Sequence, residues 1–300
     1  MNAFLISRGS TLGLSFNFVK FRRLSYIFAI IVSLCVPICL FLRGVNFGID
    51  FLGGVVVEAR SDKDIKDIEY IRSDFEKLAY KLISIDVDSS NNLILRAHIG
   101  KIDKFEDELR KNFDYLKIDK IDFVGPKLGV DMLISAASGV LIAIIAMVVY
   151  ISMRFTRRFG MSMGITLFHD LMGAILFYSV TQYEFNASSV AALLTILGYS
   201  VNDSVVIFDR IRENSARHYK MRFDNVVNLS LNETLSRTTI TALTTLLSCV
   251  VLFVFGGASL QGFAGAMIFG VLFGTYSSIF ISAPLVLTLS TKLQAAIKKR

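Results

Sequence analysis

The 300-residue chain has no tryptophan and only 3 prolines, 3 cysteines and 3 histidines, and charged residues make up just 19% of it. These scarcities close off several classes of function. Cys35, Cys39 and Cys249 all fall in apolar runs. A spacing of four puts Cys35 and Cys39 on one helix face, where a disulfide is awkward and no further ligands complete a metal site. They read as small apolar side chains, and no residue cluster calls for a metal or a cofactor. No basic patch interleaved with stacking aromatics occurs, which argues against nucleic acid despite a net charge of +7. No Ser–His or paired-Asp constellation supports an intramembrane enzyme.

What the chain has is apolar length. Hydrophobic residues account for 53% of it, and the mean hydropathy is +0.57. Six runs, near 24–42, 132–153, 160–180, 188–208, 238–255 and 263–289, are long enough to cross a hydrocarbon core about 30 Å thick. The first follows Lys20-Phe-Arg-Arg23 as a signal sequence would, but it outruns a signal core and no small-residue cleavage site follows. A lipoprotein reading of Cys35 is disfavoured by bulky Leu34. An uncleaved anchor is expected.

Basic residues sort the loops into two kinds. Arg8, Lys20, Arg22 and Arg23 precede the first run, and Arg154, Arg157 and Arg158 separate the second and third. Arg210, Arg212, Arg217, Lys220, Arg222 and Arg237 fill 209–237, and Lys298, Lys299 and Arg300 end the tail. Loops 181–187 and 256–262 hold no Lys or Arg. The alternation predicts cytosolic termini, with the charged segment 43–131 outside. The chain thus divides into a cytosolic start and anchor (1–42), an outer domain (43–131), a five-span bundle (132–289) and a cytosolic tail (290–300).

The outer segment reads as strand, helix, strand, strand, helix, strand. Strands are expected at 55–60, 82–87, 93–99 and 116–124, with a turn at 88–92. Helical spacing is seen over 62–80 and 101–113. These helices are predicted to bury Ile68, Ile71, Phe75 and Leu109 against the sheet. A βαββαβ order fits a small α+β ferredoxin-like fold. His98, alone in a strand, reads as structural. In 209–237, Phe223, Val226, Val227, Leu231 and Leu235 fall at helical spacing with Asp224, Asn228, Asn232 and Glu233 opposite. That predicts an amphipathic helix lying on the membrane surface, with a partner-docking face as the functional alternative.

The chemistry lies in the few charges inside the apolar runs. Asp203 sits within the fourth, between Asn202 and Ser204. A carboxylate in hydrocarbon costs a few kcal/mol or more and marks a bundle interior or an ion path; the plainer reading is a hydrogen-bonded packing residue. Arg237 opens the fifth run, where it can snorkel to the surface or reach Asp203 if the two spans pack together, making a pair whose opening would let the carboxylate take up a proton. His169 and Asp170 lie side by side in the third run. They form a possible relay, but neighbours on a helix point about 100° apart, which favours a structural pair.

Four motifs in register resemble the SecD/SecF family of protein-export membrane proteins, within the resistance-nodulation-division superfamily. They are Gly48, Asp50, Gly53 and Gly54 after the first run; Gly125 and Pro126 before the second; Gly198, Asn202, Asp203, Asp209 and Arg210 across the fourth; and 231–237 with Gly256 and Gly257. Leu52 stands where the family often has a small polar residue. The resemblance implies a subunit that works with SecD beside the SecYEG channel, with YajC and a YidC-type insertase as further partners, in contact with membrane lipid and the translocating preprotein. It implies use of the proton motive force to draw preprotein outward across the bacterial cytoplasmic membrane. Asp203 and Arg237 take the place of the family's intramembrane charged pair. The alternative is a half-size exporter of small molecules or lipids from the same superfamily, although one six-span half argues for an obligate partner.

Overall fold

A computed structural model describes residues 16–61, 81–87, 92–98, 105–113 and 116–297. After a 3-10 turn, Phe18–Phe21, come helix α1 (Arg22–Leu42) and the short α2 (Ile49–Leu52). Then follow strands β1 (Gly54–Ser61), β2 (Lys81–Val87) and β3 (Asn92–His98), helix α3 (Phe105–Asn112) and strand β4 (Leu116–Val124). Five long helices complete the chain: α4 (Pro126–Arg154), α5 (Arg157–Thr181), α6 (Ala187–Arg217), α7 (Phe223–Phe255) and α8 (Ala258–Ser277). The last passes through a π-helical turn, Ser278–Ser282, into α9 (Ala283–Ile297). Among the described residues, six helical stretches are long and apolar enough to cross a membrane, α8 and α9 counting as one. This is a polytopic helical membrane protein.

The strands form one antiparallel sheet in the order β2-β3-β1-β4. Alternation in β1 turns Val55, Val57 and Ala59 to one face, where they are buried with Leu93, Leu95 and Ala97 of β3. Phe105 and Leu109 of α3, with Phe113 just after it, join the same core, so the predicted burial of Leu109 is met. Ile68, Ile71, Phe75, the rest of the expected helix at 62–80 and the turn at 88–91 lie outside the described residues.

The expected surface helix does not form. Segment 209–237 contains no Gly or Pro, and α6 and α7 run on past the apolar core, broken only by a link at 218–222. Val227 and Leu231 are buried in the main core with Phe18 and Ile211, and Val226 is buried as well. Asn228 and Asn232, expected to face water, accept hydrogen bonds from the backbone N–H groups of Phe18 and Phe16, both at 2.8 Å. The face offered as a docking surface is thus covered by the chain's own first turn.

Between helices in lipid, close packing replaces water exclusion as the attractive term. A Cβ on Gly270 of α8 would stand 2.3 Å from the Ile196 side chain of α6, and one on Gly173 of α5 would stand 2.3 Å from Phe273 of α8. Small residues therefore draw α5, α6 and α8 together. Pro284, with no N–H for the carbonyls one turn back, accounts for the π-helical widening just before it.

Candidate functional site

On α6 the buried stripe runs Ala192, Leu193, Ile196, Leu197, Ser200, Asp203, Ser204, Ile207, Phe208, Ile211 and Asn214, the i, i+3, i+4 spacing of one helix face. Asp203 belongs to that stripe, near the middle of the 31-residue helix, and is 5% exposed. The Thr238 hydroxyl of α7 donates to its Oδ1 at 2.7 Å. Its Oδ2 is equally buried and has no hydrogen bond among the described residues, and the Ser278 hydroxyl lies beside the same carboxylate.

Arg237 does not pair with Asp203. It is exposed and forms no ion pair among the described residues. The spans do pack as expected, but a helix turns about 100° per residue, so only one of two neighbours can face α6. Thr238, 2% exposed, takes that place.

His169 and Asp170 do meet, with Nδ1 3.2 Å from Oδ1, and both are buried. Asp170 reaches further. Its Oδ2 accepts from Ser200 of α6 at 2.6 Å and from Ser277 of α8 at 2.9 Å. The imidazole of His169 stacks on Phe273, centroids 4.7 Å apart, and its Nε2 is buried without a partner among the described residues. Ser278, one residue on from Ser277, lies 3.0 Å from the Ser204 hydroxyl and donates to the Ser200 carbonyl at 3.3 Å. A seam of hydroxyls, Ser200, Ser204, Ser277, Ser278 and Thr238, therefore lines the ground between two carboxylates on neighbouring helices. It is suited to holding and passing a proton. No group of three or more metal-ligating side chains occurs among the described residues.

The remaining motif residues hold the two ends of α6. At the sheet end, Gly53 and Gly54 have φ of +76° and +148°, a path open to glycine, and turn the chain from α2 into β1. Asp50 accepts from the Ala187 N–H at 2.8 Å, at the first turn of α6, and the Gly48 N–H donates to Phe185 O at 2.9 Å. Gly125 caps α4 and Pro126 opens it, where a missing N–H costs nothing. Arg96 of β3 pairs with Glu184 at 2.6 Å, tying the sheet to the same loop. At the far end, Arg210 binds Glu233 of α7 and Glu213, each at 2.6 Å. Asp209 pairs with Arg212 at 3.1 Å and Arg154 at 3.7 Å. Asn202 and Gly198 lie on the exposed side of α6, and a Cβ on Gly198 would meet nothing within 4 Å, so packing does not explain them.

The family profile described as "Protein export membrane protein SecD/SecF, C-terminal" matches residues 104–292, and "SecD/SecF GG Motif" matches 40–65. The protein translocase subunit SecF of Rickettsia typhi is 42% identical over 282 residues, covering 91% of each chain. That of Rickettsia bellii is 40% identical over 288 residues, covering 93% of this chain and 95% of the relative. The crystal structure of SecDF, a translocon-associated membrane protein from a Thermus species, overlays with a TM-score of 0.84 at 31% identity, covering 94% of this chain. A SecDF structure in a super-membrane-facing form overlays at 0.66 and 29% identity. This chain spans only 39% and 40% of those two solved chains.

Proposed function

The chain belongs to the SecD/SecF family of protein-export membrane proteins, and from that premise we propose how it works. It is a multi-pass inner-membrane subunit of the Sec protein translocase, a component of transport with no catalytic role of its own. Its partner within the translocase is a SecD-type subunit. With that partner it uses the proton motive force to promote late export of preproteins beside the SecYEG channel, with YajC and a YidC-type insertase as neighbours in the assembly. The loop charges support cytosolic termini and an outer sheet domain. The 4-1-3-2 strand order with α3 on one face supports a ferredoxin-like reading of that domain.

The observation that carries the mechanism is Asp203: a buried carboxylate with one oxygen bonded and the other unpartnered among the described residues. An unpaired carboxylate in hydrocarbon is costly, whereas its protonated form is far less so. Proton arrival and departure therefore change what α6 can pack against. The first turn of α6 is tied to the sheet through Asp50, Gly48 and the Arg96–Glu184 pair, so a shift of α6 is passed to the outer domain. The two SecDF structures overlay on this chain to different degrees at near-equal coverage, which supports a family fold with more than one arrangement.

The test is Asp203→Asn, which keeps size and polarity but cannot exchange a proton as a carboxyl does. Export per assembled complex is measured in sealed vesicles with and without a proton gradient. The variant is expected to assemble normally and to lose gradient-dependent stimulation. Full stimulation at normal complex levels would make Asp203 a packing residue and overturn the mechanism.

A further inference from the structure

An open apolar groove of about 690 Å³ runs between α1 and α8, walled by Phe21, Leu24 and Phe28 on one side and Leu272, Phe273 and Tyr276 on the other. Beside the same first turn of α1 lies a polar cleft of about 360 Å³ that Lys20, Arg22 and Arg23 line. Lys20 and Arg23 are exposed and Arg22 half-buried, and none of the three forms an ion pair among the described residues. Asp224, a carboxylate in the cleft wall, is engaged by Arg222 at 2.9 Å.

We infer that this groove and cleft together bind an anionic phospholipid, its acyl chain lying along the aromatic wall and its phosphate held by Lys20, Arg22 and Arg23. Charge complementarity selects the occupant. An apolar slot facing the bilayer takes any acyl chain, but three cations without carboxylate partners at its end favour a headgroup with net negative charge. A partner's helix would fill the slot and leave those cations unmatched. The seat also borders the buried seam, because Phe273 of the groove wall is the ring stacked on His169.

The absence of tryptophan from the chain allows a direct test. Leu272→Trp, at a position 55% exposed, places one reporter in the groove; Leu247→Trp on α7, 60% exposed, places one on ordinary lipid-facing surface. The full chain is reconstituted in phosphatidylcholine vesicles, and dibrominated phosphatidylglycerol or dibrominated phosphatidylcholine is added as quencher. Phosphatidylglycerol is expected to quench the groove reporter at several-fold lower mole fraction than phosphatidylcholine, and the two lipids to quench the α7 reporter alike. Substituting Lys20→Gln, Arg22→Gln and Arg23→Gln in turn should weaken the preference roughly fivefold per cation. Equal quenching of the groove reporter by both lipids would mean that the groove holds bulk lipid only, and would overturn the site. The measurement is repeated in the complex with a tryptophan-free partner subunit. Persistent quenching there supports the lipid, whereas protection from both lipids would assign the groove to the partner and refute it.

Discussion

Asp170 of α5 and Asp203 of α6 are both buried in the middle of the helical bundle, and Ser200, which bonds Asp170, precedes Asp203 by about one turn, yet the two carboxylates are provided for differently. Asp170 has every oxygen engaged: His169 at one, Ser200 and Ser277 at the other. Those bonds join three helices. Among the described residues Asp203 has one short hydrogen bond, from Thr238 to Oδ1, and an Oδ2 left over. A saturated carboxylate is a fastening, since any change in its state breaks several cross-helix bonds at once. A half-satisfied one can change its state at the expense of one contact. The same residue type is thus saturated on α5 and half-satisfied on α6, which is why we propose architecture for the one and ion coupling for the other.

The largest effect should come from removing the fastening. Asp170→Ala ends the bonds from Ser200 and Ser277, strands the His169 ring and opens a small cavity. Lost buried hydrogen bonds of this kind cost about 1–3 kcal/mol each, and some of the donors can turn back to their own helix, so a net loss near 3 kcal/mol is expected. Asp203→Ala should cost about 1 kcal/mol, because only Thr238 loses a partner and it can bond a carbonyl one turn back. Steric trapping of the unfolded state in bicelles would measure both. Equal losses would break the contrast.

A smaller effect, and one confined to transport, is expected at Thr238. Thr238→Val keeps the shape of the side chain and removes the hydroxyl that donates to Asp203 Oδ1. Folding stability should change by about 1 kcal/mol or less. Gradient-driven export per complex should fall several-fold, because the carboxylate loses the contact that fixes its position, and Thr238→Ser should restore most of it. Export at the parent rate in Thr238→Val would mean that the hydroxyl has no part in the coupling.

Much of this architecture was legible in the chain, for a physical reason. A span must be long and apolar, so all six showed, and Asp203 stood out because a charge in hydrocarbon is conspicuous. The strands of the outer domain showed through their period of two. The helices' true lengths did not, because the apolar signal ends at 208 while nothing stops α6 before Arg217. Arg237 was favoured over Thr238 because charge draws attention, whereas a one-residue rotation around α7 decides which side chain faces inward. The hydroxyl seam was invisible for a related reason. Serine and threonine are common in spans, and their usual bond is to the carbonyl one turn back, as with Thr241 and Thr245. Only tertiary packing turns Ser200, Ser204, Ser277 and Ser278 toward the carboxylates. A weak signal was present: Ser200 and Ser204 lie three residues before and one after Asp203, and Ser277 is followed directly by Ser278.

Arg237 gives the finest test of the contrast between the two carboxylates. It touches neither, and we propose that it acts on Asp203 through its charge. A role through charge has a distinct signature. Arg237→Lys keeps the charge and gives up only a planar fork that has no partner to grip, so export should stay near the parent level. Arg237→Gln removes the charge and should lower gradient-driven export a few-fold, with stability unchanged to within about 0.5 kcal/mol, as for most exposed positions. Combining Arg237→Gln with Thr238→Val then separates two pictures. If charge and hydroxyl act on the same carboxylate, the double variant should fall short of the product of the single losses, because a proton site already disabled has little left to lose. If the losses multiply, Arg237 works elsewhere, for instance at the membrane surface. A fall in Arg237→Lys as large as in Arg237→Gln would point to a specific guanidinium contact formed in another arrangement of α6 and α7, and would replace the charge-only account.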